Sequence, residues 1–252
     1  MTAHSDNTAQ SKGALHLGID GCPAGWVAVD LTQQWLHVFS TLQELWQTVQ
    51  HHLALALVDI PMGLPEDAYR TCDLEARRLL GGRRSSIFFT PCREAVYAVT
   101  YQEANAVNRH RVGKGISIQT WNICGKIREM DMLLQNHSVR DVLSESHPEL
   151  AFAWLNGGQP LTSRKQRLAG RRERLDLLEK KLLGSTPWLL DVVASVPNRL
   201  ARPDDILDAA VLSVAAVEAR RALEPFPNPA PLDALGIPMQ IWVPQAVNQP
   251  SD

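Results

Sequence analysis

The chain has 252 residues, of which 45% are apolar and 21% charged, so it is long enough for one large globular domain. Its four cysteines lack the paired spacing of a zinc site or a disulfide framework, which favours reduced thiols in a cytoplasmic protein. The net charge of −2 gives no general nucleic-acid signature, and the longest apolar runs are too short to span a membrane.

The N-terminal part has the pattern of an α/β sheet. Residues 1–13 are polar and are expected to be disordered. The apolar run at 14–19 and the segments WVAVDL and LHVFST then indicate three strands of an antiparallel meander. Residues 41–54 have helical periodicity after a capping threonine, and LALALVDIP is typical of a buried strand that ends at a loop. The predicted order is therefore β-β-β-α-β.

The rest of the chain is mainly helical. Residues 63–136 contain helices and loops and are interpreted as a helical insertion or cap. SVRDVLSES predicts a further strand, and DDILDAAVLSVAAVEARRAL predicts a long apolar helix introduced by Pro203. Residues 225–252 are a Pro-rich C-terminal tail, so the main domain is predicted over residues 14–224.

Charge is unevenly distributed along the chain. Residues 70–130 carry eleven basic residues against five acidic ones, whereas residues 1–69 carry one against seven. Residues 200–252 are acidic as well, with three basic residues against seven acidic ones. An acidic centre formed by the two ends of the chain, beside a basic middle, suits a cation site that handles a polyanion. A solvated helix surface explains such a local excess about equally well.

Carboxylates follow the predicted strands and begin the last helix: Asp20, Asp59, Glu145, Asp205 and Asp208. The ends of strands in an open α/β sheet are where ligands bind, and residues three apart lie on one helical face. Taken singly, an aspartate after a strand is more often part of a turn, and an aspartate at a helix start is more often a cap. Their shared position nevertheless favours a single metal site.

Several motifs together resemble a known family. LGIDG, VDIP and DDILDAAVLSVAA are similar to the strands and the late helix of ribonuclease H-like nucleases and Holliday-junction resolvases. The wider set, LGIDGCPAGW, ALVDIPMGLPE, RTCDLEARRLLG, RRSSIFFTP, IREMD and SESHPELAF, resembles domain-of-unknown-function family 429. The resemblance extends over about residues 14–222. It implies a ribonuclease H-like mixed sheet with helices on both faces and a metal-dependent nuclease activity.

The resemblance also implies a mechanism. Two Mg²⁺ or Mn²⁺ ions held by carboxylates activate a water molecule and stabilise the leaving oxygen of a phosphodiester. Asp20 would bridge the ions, Asp59 and Glu145 would lie on one side, and Asp205 or Asp208 on the other. Candidate groups for binding the phosphates of a nucleic acid are Arg83, Arg84, Ser85, Ser86 and Lys126, and His147 is a candidate for proton transfer.

Two other functions fit parts of the pattern. A small kinase or ATPase of the actin-like fold also has a first strand that ends in Asp-Gly, although a second such strand and a glycine-rich adenosine loop are not evident. A non-catalytic ribonuclease H-like module could instead bind nucleic acid or a protein through the basic middle. The sequence does not separate DNA, RNA and small phosphoesters as substrates.

Overall fold

The computed structural model of the protein describes residues 13–244, apart from the side chains of residues 219–223 and 244. The predicted disordered segment 1–13, except for its last residue, lies outside the described part of the chain. Residues 245–252 of the predicted tail also lie outside it. Among the helices that are described, none is long and apolar enough to cross a membrane.

Five strands form a mixed sheet whose spatial order is β3-β2-β1-β4-β5. The strands are β1 (Leu15–Cys22), β2 (Gly25–Asp30), β3 (Trp35–Phe39), β4 (Leu53–Val58) and β5 (Leu143–Glu145). The first three strands pair antiparallel, whereas β4 is parallel to β1 and β5 is parallel to β4. The predicted α/β class and its β-β-β-α-β opening are therefore confirmed. The strand predicted at SVRDVLSES is reduced to three residues, because a short helix occupies its first half.

Within residues 13–244 there are ten α-helices: α1 (Leu42–Val49), α2 (Thr71–Leu79), α3 (Arg93–Val96), α4 (Tyr101–Val112), α5 (Ile118–Leu133), α6 (His137–Arg140), α7 (Pro148–Leu155), α8 (Leu168–Lys181), α9 (Ser185–Ser195) and α10 (Pro203–Ala222). A 3₁₀ helix, Gly81–Ser86, follows α2. The long late helix predicted from the sequence is α10, and Pro203 is its first residue.

The sheet is covered on both faces. Strand residues alternate between the faces, so Leu17 and Ile19 pack with α1 and α5, while Val27 and Val29 pack against α7 to α10. Helix α5 lies within the predicted insertion at 63–136, but its buried side chains join the sheet's own core. A peripheral cap would therefore be limited to α2, α3 and α4.

The C-terminal tail forms a small second sheet. Strands β6 (Leu223–Phe226) and β7 (Ile241–Pro244) pair antiparallel. Phe226, Ile241 and Val243 are buried in a cluster with α2 and α7 residues such as Ala76 and Leu150. The tail is thus part of the packed structure, and it packs beside the C-terminal ends of β4 and β5.

Candidate metal centre

The sheet places Asp20 and Asp59 at the same end and on the same face. Ile19 and Val58 are partners in the parallel β1–β4 pair, and the Asp59 backbone N–H donates to the Ile19 carbonyl at 2.9 Å. Ile19 and Val58 both pack on the α1/α5 face. Because successive strand residues point to opposite faces, the two aspartates that follow them point towards α10. Asp20 and Asp59 accordingly lie in the wall of one cavity.

Helix α10 reaches this pair because β1 has no side chain at the crossing point. A Cβ atom on Gly18 would lie 1.8 Å from the Ala209 carbonyl oxygen, so only glycine permits this approach. The Ser213 hydroxyl of α10 donates to the His16 carbonyl of β1 at 2.9 Å and accepts from the Leu31 backbone N–H at 2.9 Å. Packing this close brings the start of α10 beside the end of β1.

A lysine lies among the carboxylates that the helix and strands bring together. Lys165 comes from the segment between α7 and α8, and its Nζ atom lies 2.5 Å from Asp208 Oδ2. Asp208 is buried, whereas about a third of the Lys165 side chain is exposed. Burial alone would lower the pKa of Lys165, but the charges of Asp208, Asp20 and Asp59 outweigh it and raise the pKa above its ordinary value. The ammonium group is therefore the positive charge shared by this carboxylate cluster, which we define as Asp20, Asp59 and Asp208.

The carboxylate cluster is electrostatically strained. Burial is the main reason that the pKa of Asp20 lies well above its ordinary value, and the charges of Asp59 and Asp208 raise it further. Burial also raises the pKa of Asp59 to about 7, although the nearby Lys165 ammonium opposes this shift. The pKa of Asp208 is raised in the same way. Three buried carboxylates with one ammonium carry too little positive charge for full ionisation.

Two buried carboxylate oxygens at this site have no hydrogen-bond partner among the described residues. They are Asp208 Oδ1 and Glu149 Oε2. Glu149 is in the first turn of α7, and its other oxygen accepts from Arg174 at 2.6 Å. Its charge raises the pKa of both Asp59 and Asp208, so it is close to the cluster. Buried oxygens of this kind are open to an additional ligand.

The described residues nevertheless contain no group of three His, Cys, Asp or Glu side chains already arranged to hold a metal ion. The Lys165 ammonium bonded to Asp208 gives a physical reason, because it lies where the carboxylates would otherwise converge. A cation would require the lysine to move and the carboxylates to draw closer.

Asp205, the other predicted ligand on α10, has a different role. Its Oδ2 atom accepts from the Arg202 backbone N–H at 2.8 Å, which caps the start of the helix. It is partly exposed, and burial raises its pKa. Of the pair Asp205 and Asp208, the structure gives Asp208 to the cluster and Asp205 to the helix end.

Glu145, also predicted as a metal ligand, points to the opposite face of the sheet. It is the register partner of Val58 and lies two residues after Leu143, both of which belong to the α1/α5 core. Its two oxygens each accept from the Arg70 guanidinium at 2.7 Å, and one also accepts from the Met62 backbone N–H at 2.7 Å. These bonds engage the Glu145 carboxylate with Arg70, so we leave it out of the carboxylate cluster, although it lines one cavity with Asp20 and Asp59. Its role as a metal ligand stays a prediction.

Two adjoining cavities open beside the cluster. The smaller, of about 190 Å³, has Asp20, Asp59 and Lys126 in its wall together with Phe88 and other residues at the ends of β4 and β5. The larger is an open groove of about 500 Å³, whose wall comprises Asp59, Gly82, Arg83, Ser85, Ser86, His147, Pro148, Glu149, Arg164, Lys165, Gln166 and Asp208. Both cavities share Asp59, Ser86 and His147. Asp59 and Asp208 therefore lie in the groove wall with Arg83, Arg164 and Lys165, and Asp20 lies in the wall of the adjoining smaller cavity.

The residues predicted to bind phosphate differ in where they lie. Arg83, Ser85 and Ser86 are in the groove wall, and Ser86 is also in the wall of the smaller cavity. Arg84 belongs to the same 3₁₀ helix, but its side chain is exposed and is not part of either of these two walls. Lys126 lies in the smaller cavity, where its ammonium donates to the Gly25 carbonyl and lies 4.7 Å from the centre of the Trp26 ring.

His147 is a structural cap. Its Nδ1 atom accepts from the Glu149 backbone N–H at 3.2 Å, which begins helix α7. Burial lowers the pKa of His147 to about 4, so the ring is neutral at physiological pH. Proton transfer, which the sequence suggested for this histidine, is poorly matched to that pKa and to an occupied ring nitrogen.

A family comparison agrees with the sequence resemblance. The model for a protein family of unknown function, DUF429, matches residues 18–231. The chain belongs to the DUF429 family. The matched residues include the whole carboxylate cluster, Lys165, and the two segments of the groove wall that carry Arg83 and Arg164. Searches of curated proteins and of solved structures give no match.

Sequence reasoning missed two groups at the site. Glu149 lies two residues beyond His147, and the only signal for it in the sequence is its position at a helix start that follows a strand. Lys165 lies in a basic stretch, RKQR, and nothing in that stretch distinguishes it from its neighbours. Its role follows from the path of the segment between α7 and α8, which local sequence does not specify.

Proposed function

We propose that this DUF429 protein is a divalent-metal-dependent phosphodiesterase that acts on nucleic acid. One observation carries the proposal: Asp20, Asp59 and Asp208 come from two strand ends and a distant helix, yet they line two adjoining cavities that share Asp59, and their charges raise one another's pKa. A fold gains no stability from burying several like charges together, so such a cluster indicates a function.

We also propose that the fold is ribonuclease H-like. The order of elements, β-β-β-α-β and later β-α, supports this assignment, as does the helix α10 that delivers the last carboxylate. The sheet with three antiparallel strands, two parallel strands and helices on both faces is compatible with it. The residues from α2 to α4, which lie between β4 and α5, would then be an insertion that supplies one wall of the groove.

The side chains present fit Mg²⁺ or Mn²⁺. Hard divalent cations prefer carboxylate oxygens, and the cluster offers three carboxylates plus the unpaired Oε2 atom of Glu149. The same charges that raise the pKa values of Asp20 and Asp59 would favour a cation over a proton at neutral pH. Asp20, Asp59 and Asp208 would hold the metal, with Glu149 at its edge.

The chemistry divides between metal and protein. A bound divalent cation lowers the pKa of a water molecule and stabilises charge on phosphodiester oxygens. Arg83 and Arg164 lie in the groove wall, Arg83 at 3.3 Å from Glu149, and their guanidinium groups would bind phosphates of the substrate. Asp20 and Asp59 fix the position of the reacting phosphate relative to the sheet, because both follow strands that cannot move independently.

The first experiment compares wild type with Asp20→Asn and with the control Asp176→Asn, which removes an exposed carboxylate from α8. Thermal melting is measured with and without Mn²⁺ and Mg²⁺, since a ligand that binds the native state raises the melting temperature. We expect a metal-dependent rise for wild type and for the control, and a much smaller rise for Asp20→Asn. Without metal, Asp20→Asn should be as stable as wild type or slightly more stable.

Activity is then assayed with Mn²⁺ on single-stranded, double-stranded and junction DNA, on RNA and on a small phosphodiester. We expect cleavage of at least one of these by wild type and by Asp176→Asn, and none by Asp20→Asn. Calorimetry with ATP tests the actin-like kinase alternative. Tight ATP binding without cleavage of any phosphodiester would replace the proposal with that alternative, and nucleic-acid binding without metal binding would indicate a non-catalytic module.

A further inference from the structure

Among the residues of the site, Lys165 is the one whose position is least explained by a contribution to the stability of the fold. It lies in a segment without helix or strand between α7 and α8, and its ammonium reaches Asp208 from the groove. Three carboxylates of the cluster attract it, and Asp208 Oδ1 still has no hydrogen-bond partner among the described residues. The Lys165 ammonium supplies one compact positive charge, whereas the three carboxylates of the cluster can balance more positive charge than this.

Two other buried ion-pair networks are built differently. Arg70 binds both oxygens of Glu145 and also binds Asp73, so this network is bonded at several atoms. Arg93 likewise joins Asp131 and Asp233 at 2.5 Å each. Planar guanidinium groups that bind several oxygens are typical of permanent buried pairs. The pair formed by Lys165 is a single contact made by a flexible and partly exposed side chain.

We propose that Lys165 holds the place of a divalent cation in the metal-free protein and leaves Asp208 when a cation binds. The inference rests on the proposed function, because it concerns the same carboxylate cluster. A divalent ion bound to Asp208 would lie within a few ångströms of the ammonium, and like charges repel strongly at that distance in a buried site. The lysine therefore competes with the metal and sets the affinity of the site.

The surroundings of Lys165 permit this exchange. Its segment is anchored to α8 just before it, since a Cβ on Gly170 would lie 2.1 Å from the Arg164 carbonyl oxygen and Arg174 donates to the Ser163 carbonyl at 3.4 Å. While the segment is anchored, the Lys165 side chain faces the groove. The groove, at about 500 Å³, has room for another rotamer of this side chain. A displaced ammonium would remain in a groove whose wall also carries Arg83 and Arg164, where it would add to the positive charge that a substrate phosphate meets.

Calorimetric titration with Mn²⁺ tests the competition. The proteins are wild type, Lys165→Met, and Lys180→Met, a control that removes an exposed lysine from α8. We expect Lys165→Met to bind Mn²⁺ about tenfold more tightly than wild type, because no ammonium has to be displaced, and Lys180→Met to match wild type. Lys165→Gln is a second variant, in case the methionine variant does not fold.

A second measurement needs no variant. Wild-type protein is acetylated briefly with and without Mn²⁺, and mass spectrometry measures the modification of each lysine. Lys165 bonded to Asp208 should be nearly unreactive, and its acetylation should rise in proportion to the fraction of protein that has bound Mn²⁺. Acetylation of Lys180 should not change.

The outcomes separate the two proposals. If wild type binds Mn²⁺ while the Lys165 variants bind it equally tightly and Lys165 acetylation is unchanged, the place-holding role is wrong and the metal site stands. If neither wild type nor the variants bind Mn²⁺ or Mg²⁺, the proposed function fails and this inference fails with it. Tighter Mn²⁺ binding by both variants together with metal-dependent acetylation supports both.

Discussion

At the scale of single residues, two buried carboxylates of similar exposure have opposite surroundings. Asp208 shares one ammonium with two other aspartates and keeps an unpaired oxygen. Glu145 has the Arg70 guanidinium and the Met62 backbone N–H as partners for its own two oxygens. Substituting each by its amide should therefore separate a ligand from a structural group.

We expect Asp208→Asn to weaken Mn²⁺ binding by about tenfold or more, since it removes one anionic ligand. Glu145→Gln should leave Mn²⁺ affinity close to wild type and lower the free energy of unfolding by about 3 kcal/mol, as expected when a buried ion pair loses one charge. Calorimetry and urea denaturation measure the two effects. Loss of Mn²⁺ affinity in Glu145→Gln at unchanged stability would return Glu145 to the ligand set.

Asp59 gives a pH-dependent prediction. Its pKa is raised from 3.8 to about 7 in the folded protein, mainly by burial, so the folded state holds the proton more tightly than the unfolded state. The stabilisation this provides is complete below pH 3.8 and is lost as pH rises to about 7. Without metal, Asp59→Asn should therefore gain stability relative to wild type between pH 4 and pH 7. Urea denaturation across that range with a chelator present measures it, and a constant difference would contradict it.

Period-two alternation indicates from the sequence alone which face of the sheet Glu145 occupies. Leu143 faces the core with α1 and α5, and a residue two further along a strand has the same face, whereas Asp20 and Asp59 each follow a core-facing residue by one. The meeting of Asp20 with Asp59 was predictable because parallel strands end at one edge. The contact of Lys165 with Asp208 was not, since it depends on a segment without regular structure.

At the scale of elements, the β1–α10 contact positions the site, and it depends on Gly18. Gly18→Ala would place a methyl group against the backbone of α10 at Ala209. Because this methyl group and the α10 carbonyl oxygen are both fixed by backbone positions, no side-chain rotation can relieve the clash. We expect a loss of at least about 3 kcal/mol in the free energy of unfolding, at the upper end of the cost of overpacking. Mn²⁺ affinity should fall as well, because α10 carries Asp208.

Gly125→Ala is the matched control. Gly125 is exposed within α5, and the nearest atom to its added Cβ would be 4.0 Å away, so alanine should stabilise the helix by about 0.5–1 kcal/mol. Urea denaturation of both variants compares them directly. Equal stability changes in the two variants would show that β1 and α10 are not held at a close contact.

The elements differ in how well local sequence specified them. The first four strands, α1 and α10 are long or strongly patterned, and their predicted positions agree with the structure. Strands β6 and β7 have four residues each in a Pro-rich stretch, where apolar periodicity is too short to indicate a strand. The sequence also did not predict that α5 packs in the main core, because the apolar face of a helix does not indicate which element it packs against.

At the scale of the whole molecule, the acidic ends of the chain meet at the cluster while basic side chains form the groove walls. We expect binding of a single-stranded oligonucleotide to weaken with salt, because each neutralised phosphate releases counterions. Replacing Arg83 and Arg164 together by alanine should reduce the slope of log affinity against log salt by about 1.4, at roughly 0.7 per phosphate contact.

Arg84→Ala with Arg172→Ala is the control for that double variant, because both side chains are exposed and neither belongs to the groove wall. It removes the same net charge. Fluorescence anisotropy at several salt concentrations measures each slope. Equal loss of slope in the two double variants would mean that net charge, rather than the groove, attracts the nucleic acid.

The contact between β1 and α10 has a consequence for the protein while it is being made. Asp20 leaves the ribosome early, and Asp208 follows 188 residues later (208 minus 20), which takes on the order of 10–40 s at roughly 5–20 residues per second. Throughout that interval the nascent chain has no complete cation-binding cluster, and Lys165 is already present when Asp208 appears. Under the proposed function, the enzyme would be assembled without activity beside the messenger RNA that encodes it and would acquire activity only near the end of synthesis.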